Sequence, residues 1–173
     1  MSGELLMNNI RLEKVKTLLQ EAYTDASKTV EAVKLSLRWG FDKRGPQVYS
    51  EIQTERAVLV LESELPTFLG GQGFRPSPIQ YFLYGVAASF LSSLMLIASL
   101  RGLTFEDAVI ELDSNVNHSS ELGLVAHREP IKVSLRILLR PSIPEETLHQ
   151  LLNEANSRCP ILAPINLEIN VIS

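Results

Sequence analysis

The spacing of apolar residues changes several times along the 173-residue chain. From residue 9 to residue 32 they recur every three or four positions, which predicts an amphipathic helix. From 33 to 41 they alternate with polar or small residues, as in a strand with one buried face. The segments 48–52 and 56–62 predict two further strands, and the short turns between them favour an antiparallel meander.

The longest predicted element is a helix over residues 78–100. Ser77 and Gln80 form a capping box at its start, and Gly102 ends it. From Ile79 onward its 22 residues carry no charge, which is long enough to span a bilayer. Its many serines and alanines are more typical of a helix buried on all sides at the centre of a domain, so we expect no membrane insertion.

Beyond the long helix the chain returns to alternating patterns. Residues 108–116 and 131–139 predict two strands separated by a polar loop. A second capping box at 142–145 opens a helix that ends where Cys159 is followed by a proline, and a last strand is expected at 165–171. This order of elements predicts an α+β fold with a mainly antiparallel sheet.

The composition argues against several classes of function. The chain has 16 Lys and Arg against 20 Asp and Glu, a net charge of −4, so nucleic acid is not an expected partner. Its one cysteine, Cys159, cannot form an intrachain disulfide or a cysteine-rich zinc site, and it indicates a reducing cytoplasm. The first residues lack a basic segment followed by an apolar one, so no signal peptide is expected.

Several candidate chemistries lack the residues that they need. The three histidines, His118, His127 and His149, do not have close metal-ligand spacing, so we expect no metal. The segment 70–73 is rich in glycine but has no following Gly-Lys-Ser/Thr, which favours a loop over a phosphate cradle. Ser89 is not flanked by the glycines of a nucleophile elbow. No cofactor is expected.

A family resemblance rests on motifs in a fixed order. A long Ala/Ser-rich helix is preceded by a Pro/Gly-rich loop and followed far downstream by Cys-Pro. The segments that carry these motifs are Glu62–Pro66, Leu69–Gly71, Pro76–Pro78 and Arg158–Ile161. Over residues 33–173 the chain resembles the OsmC-like family, the osmotically inducible and organic-hydroperoxide-resistance proteins of the stress response. The resemblance implies strongly curved antiparallel sheets around long central helices in an intertwined homodimer. Residues 1–32 would then be an N-terminal helical extension.

The resemblance also implies where reactive residues would lie. Peroxidases of this family use one cysteine eleven residues after the proline that starts the long helix and another in the downstream Cys-Pro. A glutamate after that proline and an arginine from a preceding loop activate the first thiol. In this chain the second cysteine matches Cys159, but the first position is Ser89 and the glutamate position is Ile79. Arg75 is the nearest candidate for the arginine, followed by Arg38 and Arg44.

Three functions follow as hypotheses. In the first, the chain is a non-peroxidatic member that binds a small, partly apolar or hydroperoxide-like molecule at the dimer interface; the pocket candidates are Arg75, Ile79, Tyr81, Ser89 and Cys159. In the second, Cys159 alone serves a one-cysteine thiol peroxidase or thiol-transfer enzyme. In the third, the predicted N-terminal helix recruits a protein partner.

Overall fold

The computed structural model describes residues 6–140 and 143–163. Its helices and strands are β1 (Leu6–Met7), β2 (Ile10–Arg11), α1 (Leu12–Thr24), β3 (Leu37–Trp39), β4 (Val48–Gln53), β5 (Val58–Ser63), α2 (Pro78–Leu100), β6 (Asp107–Asn115), β7 (Lys132–Arg140) and α3 (Glu145–Arg158). The described strands pair antiparallel in three sheets, β1-β2, β3-β4-β5 and β6-β7. The α+β prediction is confirmed. The chain divides into two compact units, residues 14–84 and residues 1–13 with 85–173.

The predicted helix over 9–32 is wrong at both ends. Asn8 and Asn9 have positive φ angles of 47° and 62°, so they form a tight turn that pairs β1 with β2. Asparagine tolerates this left-handed conformation, and the turn takes precedence over the helical pattern that follows. At the other end α1 stops at Thr24, because the Asp25 carboxylate accepts a hydrogen bond from the Ser27 backbone N–H and begins a separate 3₁₀ turn.

The predicted meander is confirmed in the 14–84 unit. Strand β4 lies between β3 and β5, with Leu37 opposite Ser50 and Tyr49 opposite Glu62. Alternation along the strands gives this sheet one largely apolar face, which we call the apolar sheet face; beside Ser50 and Ser63 it carries Leu37, Trp39, Val48, Ile52, Leu59 and Leu61. Leu37 and Leu59 remain 62% and 53% exposed, so much of that face is uncovered.

Helix α2 begins and ends as predicted. The Ser77 N–H donates to the Gln80 side-chain oxygen at 2.8 Å, and the Gln80 N–H donates to the Ser77 hydroxyl at 3.3 Å. Gly102, at φ 75°, follows the last turn. Within the single chain the buried residues of α2 form one stripe: Val86, Phe90, Leu94, Ile97, Ala98 and Ser99. Length and composition alone would also allow α2 to span a membrane.

The core of the second unit lies between α2, α3 and the β6-β7 hairpin. Its fully buried centre is Leu94, Ala98, Leu151 and Ala155, with Cys159 beside them. Strands β6 and β7 pair from Asp107 opposite Arg140 to Asn115 opposite Lys132, close to the predicted bounds. Helix α3 ends before Pro160, as predicted. The Ser142 cap and the strand at 165–171 lie outside the described residues.

Asn8 ties the β1-β2 turn to the end of α2. Its side-chain amide donates to the Ser99 hydroxyl and to the Leu103 carbonyl, both at 2.8 Å, and accepts from the Phe105 N–H at 2.8 Å. The Ser99 hydroxyl also lies 2.7 Å from the Met95 carbonyl oxygen. One amide therefore satisfies backbone groups on the segment that leaves the helix.

We expect Asn8→Ala to lower the free energy of unfolding by about 3 kcal/mol, because three hydrogen bonds are lost and alanine disfavours positive φ. Asn9→Ala is the matched control, since Asn9 shares the positive φ but is exposed; it should cost about 1 kcal/mol. Urea denaturation of both variants measures the difference. Equal losses would contradict the hydrogen-bonding role of Asn8.

Candidate functional site

The structure brings Ser89 and Cys159 together. The Ser89 Oγ on α2 lies 3.4 Å from the Cys159 Sγ at the end of α3, and either atom can donate the hydrogen bond. Cys159 is only 4% exposed and belongs to the hydrophobic core. The two residues that match the family's reactive positions are therefore neighbours, but the pair holds one hydroxyl and one thiol.

Gly85 on α2 faces the segment that follows Cys159. Gly85 lies one turn before Ser89, and a Cβ placed on it would lie 3.7 Å from the Ile161 Cδ1, an ordinary van der Waals distance. The proline after Cys159 ends α3 and begins the 3₁₀ turn Pro160–Leu162 that contains Ile161. The segment that carries Cys159 therefore lies against α2 near Gly85, with room for a Cβ at that position.

In the 14–84 unit a buried carboxylate organises the loop before α2. Glu64 is 1% exposed, and its two carboxylate oxygens accept the backbone N–H groups of Gln72, Phe74 and Arg75, the first at 2.9 Å. The loop also passes very close to itself: a Cβ on Gly71 would lie 1.6 Å from the Leu65 carbonyl oxygen, so only glycine fits there.

The environment of Glu64 favours its charged form. Burial opposes ionisation, but the N–H donors of Gln72, Arg75 and Phe74 and the positive charge of Arg75 outweigh burial, so the pKa of this carboxyl lies below its ordinary value. Glu64 is therefore an ionised group inside the loop at neutral pH. Its negative charge holds three backbone donors of residues 72–75 in place.

Glu62 connects two of the predicted pocket residues. Its carboxylate pairs with the Arg75 Nε at 2.7 Å, and its backbone carbonyl accepts the Tyr81 hydroxyl at 3.0 Å. Ile79 lies half-buried in the first turn of α2 and offers no polar group. Of the five predicted pocket residues, Arg75, Ile79 and Tyr81 thus belong to the 14–84 unit.

The other two arginine candidates have separate positions in that unit. Arg38 lies on β3 opposite Tyr49, on the polar face of the sheet, and Arg44 lies in the turn after β3. Sequence reasoning missed the roles of Glu62 and Glu64. An available signal was their position directly before a loop of three glycines, whose backbone N–H groups lack strand partners and need acceptors.

We expect Glu64→Gln to lower the melting temperature at pH 7 by about 5–10 °C, because a carboxamide cannot accept from all three donors. Since the pKa of Glu64 is lowered by folding, its contribution is present above its unfolded pKa, about 4.3, and is lost as pH falls through the folded value. The difference between wild type and variant should therefore shrink in acid. Thermal unfolding between pH 7 and pH 2 measures it.

Glu62→Gln is the matched control for this experiment, because it makes the same substitution two residues away in a more exposed ion pair. We expect it to change the melting temperature by about 2 °C or less, as is usual for a partly exposed pair. A deficit of Glu64→Gln that stayed constant down to pH 2 would contradict the role of the ionised carboxylate.

Comparisons with known proteins agree on one family. The family model described as OsmC-like protein matches residues 70–172. An OsmC organic hydroperoxide resistance protein from Legionella pneumophila has a similar fold, with a TM-score of 0.56 at 20% identity over 77% of this chain and 89% of that one. A search of curated proteins found no match.

Two other similar structures contain small molecules. One, from Vibrio cholerae and assigned to organic hydroperoxide resistance, has captopril bound in one of its active sites; its TM-score is 0.52 at 20% identity over 76% of this chain and 83% of that one. The other, from Elizabethkingia anophelis, has thiocyanate bound; its TM-score is 0.54 at 18% identity over 75% of this chain and 86% of that one. The family model covers more than half of the chain, and the chain therefore belongs to the OsmC-like family.

Proposed function

We propose that this chain is a non-peroxidatic OsmC-like protein that binds a small, partly apolar molecule at a homodimer interface. The observation that carries the proposal is the Ser89–Cys159 pair, in which a hydroxyl lies 3.4 Å from the single thiol of the chain. The scaffold that positions two reactive groups is kept, while one of the groups can no longer react as a thiol.

The chemistry of peroxide reduction is the reason why we expect no peroxidase activity. A thiolate attacks the O–O bond, one oxygen leaves as the alcohol, and the sulfenic acid then condenses with a second thiol and releases water. The Ser89 hydroxyl cannot form a stable sulfenic-acid equivalent or a disulfide. At the glutamate position, Ile79 cannot hold an arginine against the reacting group.

Small-molecule binding is supported by related proteins. The Vibrio cholerae protein holds captopril in an active site, and the Elizabethkingia anophelis protein holds thiocyanate. In this chain we propose Ser89 and Cys159 as residues of the ligand pocket, and Arg75, Ile79 and Tyr81 stay predicted candidates. Serine keeps a hydrogen-bonding group at the reactive position without redox chemistry.

The homodimer is supported by uncovered apolar surface. Leu37, Trp39 and Leu59 on the apolar sheet face are more than half exposed, and α2 buries only one stripe within the chain. Apolar surface of this kind is typical of an interface. A second copy would cover these side chains and complete the burial of α2.

Members of the family are soluble, which agrees with α2 as a core helix; a cytoplasmic location stays a prediction.

The two alternative hypotheses differ in support. A reactive Cys159 would need access to solvent, and its 4% exposure disfavours a one-cysteine enzyme. Recruitment of a partner by the N-terminal helix stays a prediction; α1 is shorter than expected but keeps Leu18 and Leu19 exposed.

We expect wild-type protein to consume cumene hydroperoxide no faster than buffer with the same reductant. Ser89→Cys should restore the thiol pair, because the substituted atom already lies next to the Cys159 sulfur. On addition of the hydroperoxide its free thiols should fall from two per chain to none, as measured by thiol titration and by the mass of the disulfide-linked peptides.

Ser92→Cys is the matched control, because it adds the same thiol to an exposed position of the same helix. Its thiols should be lost at least about tenfold more slowly than those of Ser89→Cys, since proximity accelerates the condensation. Peroxidase turnover by the wild type would overturn the proposal.

Native mass spectrometry tests the dimer and its ligand together. We expect a species at twice the chain mass of 19.3 kDa, with additional mass from a retained small molecule that denaturation releases. Leu59→Glu places a charge on the apolar sheet face and should give monomers without the added mass. Val60→Glu, on the opposite face of β5, should remain a dimer. A wild-type protein that is monomeric at micromolar concentration would contradict the dimer.

A further inference from the structure

An open groove lies beside the loop that Glu64 holds. It measures about 460 Å³ and lies between the turn after β3 and the loop before α2; its lining residues are Lys43, Arg44, Glu62, Gln72, Phe74 and Arg75. The Gln72 side-chain amide donates to the Lys43 carbonyl at 3.0 Å and joins the two sides. All six residues belong to the 14–84 unit.

The groove is cationic although the chain carries a net charge of −4. Three of its lining residues are positively charged and one, Glu62, is negatively charged. Glu62 engages the Nε of Arg75, which leaves the two Nη groups of that guanidinium without a partner among the residues that the structure describes. Over the same described ranges, Lys43 and Arg44 also form no ion pair.

Both sides of the groove are held by internal hydrogen bonds. Glu64 fixes the backbone of Gln72, Phe74 and Arg75. On the other side the Asp42 carboxylate accepts the Arg44 N–H at 3.1 Å, and the Asp42 carbonyl accepts the Gly45 N–H at 3.3 Å. The backbone around the cations is therefore ordered before any ligand arrives, which reduces the entropic cost of binding.

We propose that this groove binds a small organic anion, a carboxylate or phosphate monoester joined to a flat apolar group. The free edge of the Arg75 guanidinium offers paired N–H donors that match the oxygens of either anion, and Arg44 and Lys43 supply further charge. Phe74 is 80% exposed at the groove and offers an apolar surface for the remainder of the ligand. This inference goes beyond the proposed function and does not require the Ser89–Cys159 pair.

Calorimetric titration of the full-length protein with phenyl phosphate and with benzoate tests the proposal. We expect saturable binding of at least one of the two compounds. The compound that binds more tightly identifies the acid group that the groove prefers. Arg44→Gln should weaken binding about tenfold through the loss of one charge-assisted contact. Arg56→Gln is the matched control, because it removes the same charge from another exposed turn of the same sheet. Equal weakening by both variants would overturn the proposal.

Further ligands and variants separate the contributions. Inorganic phosphate should bind at least about tenfold more weakly than phenyl phosphate, and Phe74→Ala should reduce that difference. Benzyl alcohol, which lacks charge, should not bind; equally tight binding of this alcohol would refute an anion site. If Arg44→Gln bound phenyl phosphate as tightly as the wild type, the ligand would not depend on the groove and the groove proposal would be wrong.

Discussion

The buried carboxylate of Glu64 is the interaction on which the 14–84 unit depends. A glycine-rich loop has few side chains with which to pack, so its conformation must be fixed through its backbone. Glu64 does this by accepting three N–H groups of residues 72–75 at once. Its burial would be unfavourable for an unpaired charge, and the three donors compensate for the lost hydration. The start of α2 and the position of Arg75 both follow from a loop held in this way.

Local signals predicted the elements whose energetics are local. The capping box of Ser77 and Gln80 fixed the start of α2 because its two hydrogen bonds involve residues three positions apart. The alternating segments predicted β4 to β7 closely, because successive side chains of a strand point to opposite faces of the sheet. At the N-terminus two local preferences competed: the helical spacing of apolar residues extended through a turn that Asn8 and Asn9 make with positive φ. The turn is stabilised by hydrogen bonds from Asn8 to residues 99–105, which the local sequence does not reveal.

The candidate site was predictable only in part, for a similar physical reason. The neighbourhood of Ser89 and Cys159 followed from the family resemblance, and the 3.4 Å distance between their side chains agrees with it. Glu62 and Glu64 were not identified, since each acts through backbone groups whose positions depend on the folded loop. What covers α2 could not be read from its own residues, because an uncharged helix can be covered either by its own chain or by another. Hydrophobicity predicts that a surface is covered but does not say which molecule covers it.

The packing of Cys159 gives this thiol a structural role that does not depend on reactivity. Cys159 lies among Leu94, Leu151 and Ala155 in the core, where a thiol packs as a small apolar group. Replacing it with serine would bury a hydroxyl there, and replacing it with alanine would leave a cavity. Ser89 is only half-buried and can exchange a thiol for a hydroxyl with little change in volume. Packing alone would therefore favour a cysteine at this position whether or not its thiol reacts, so its presence is no evidence for a reactive thiol.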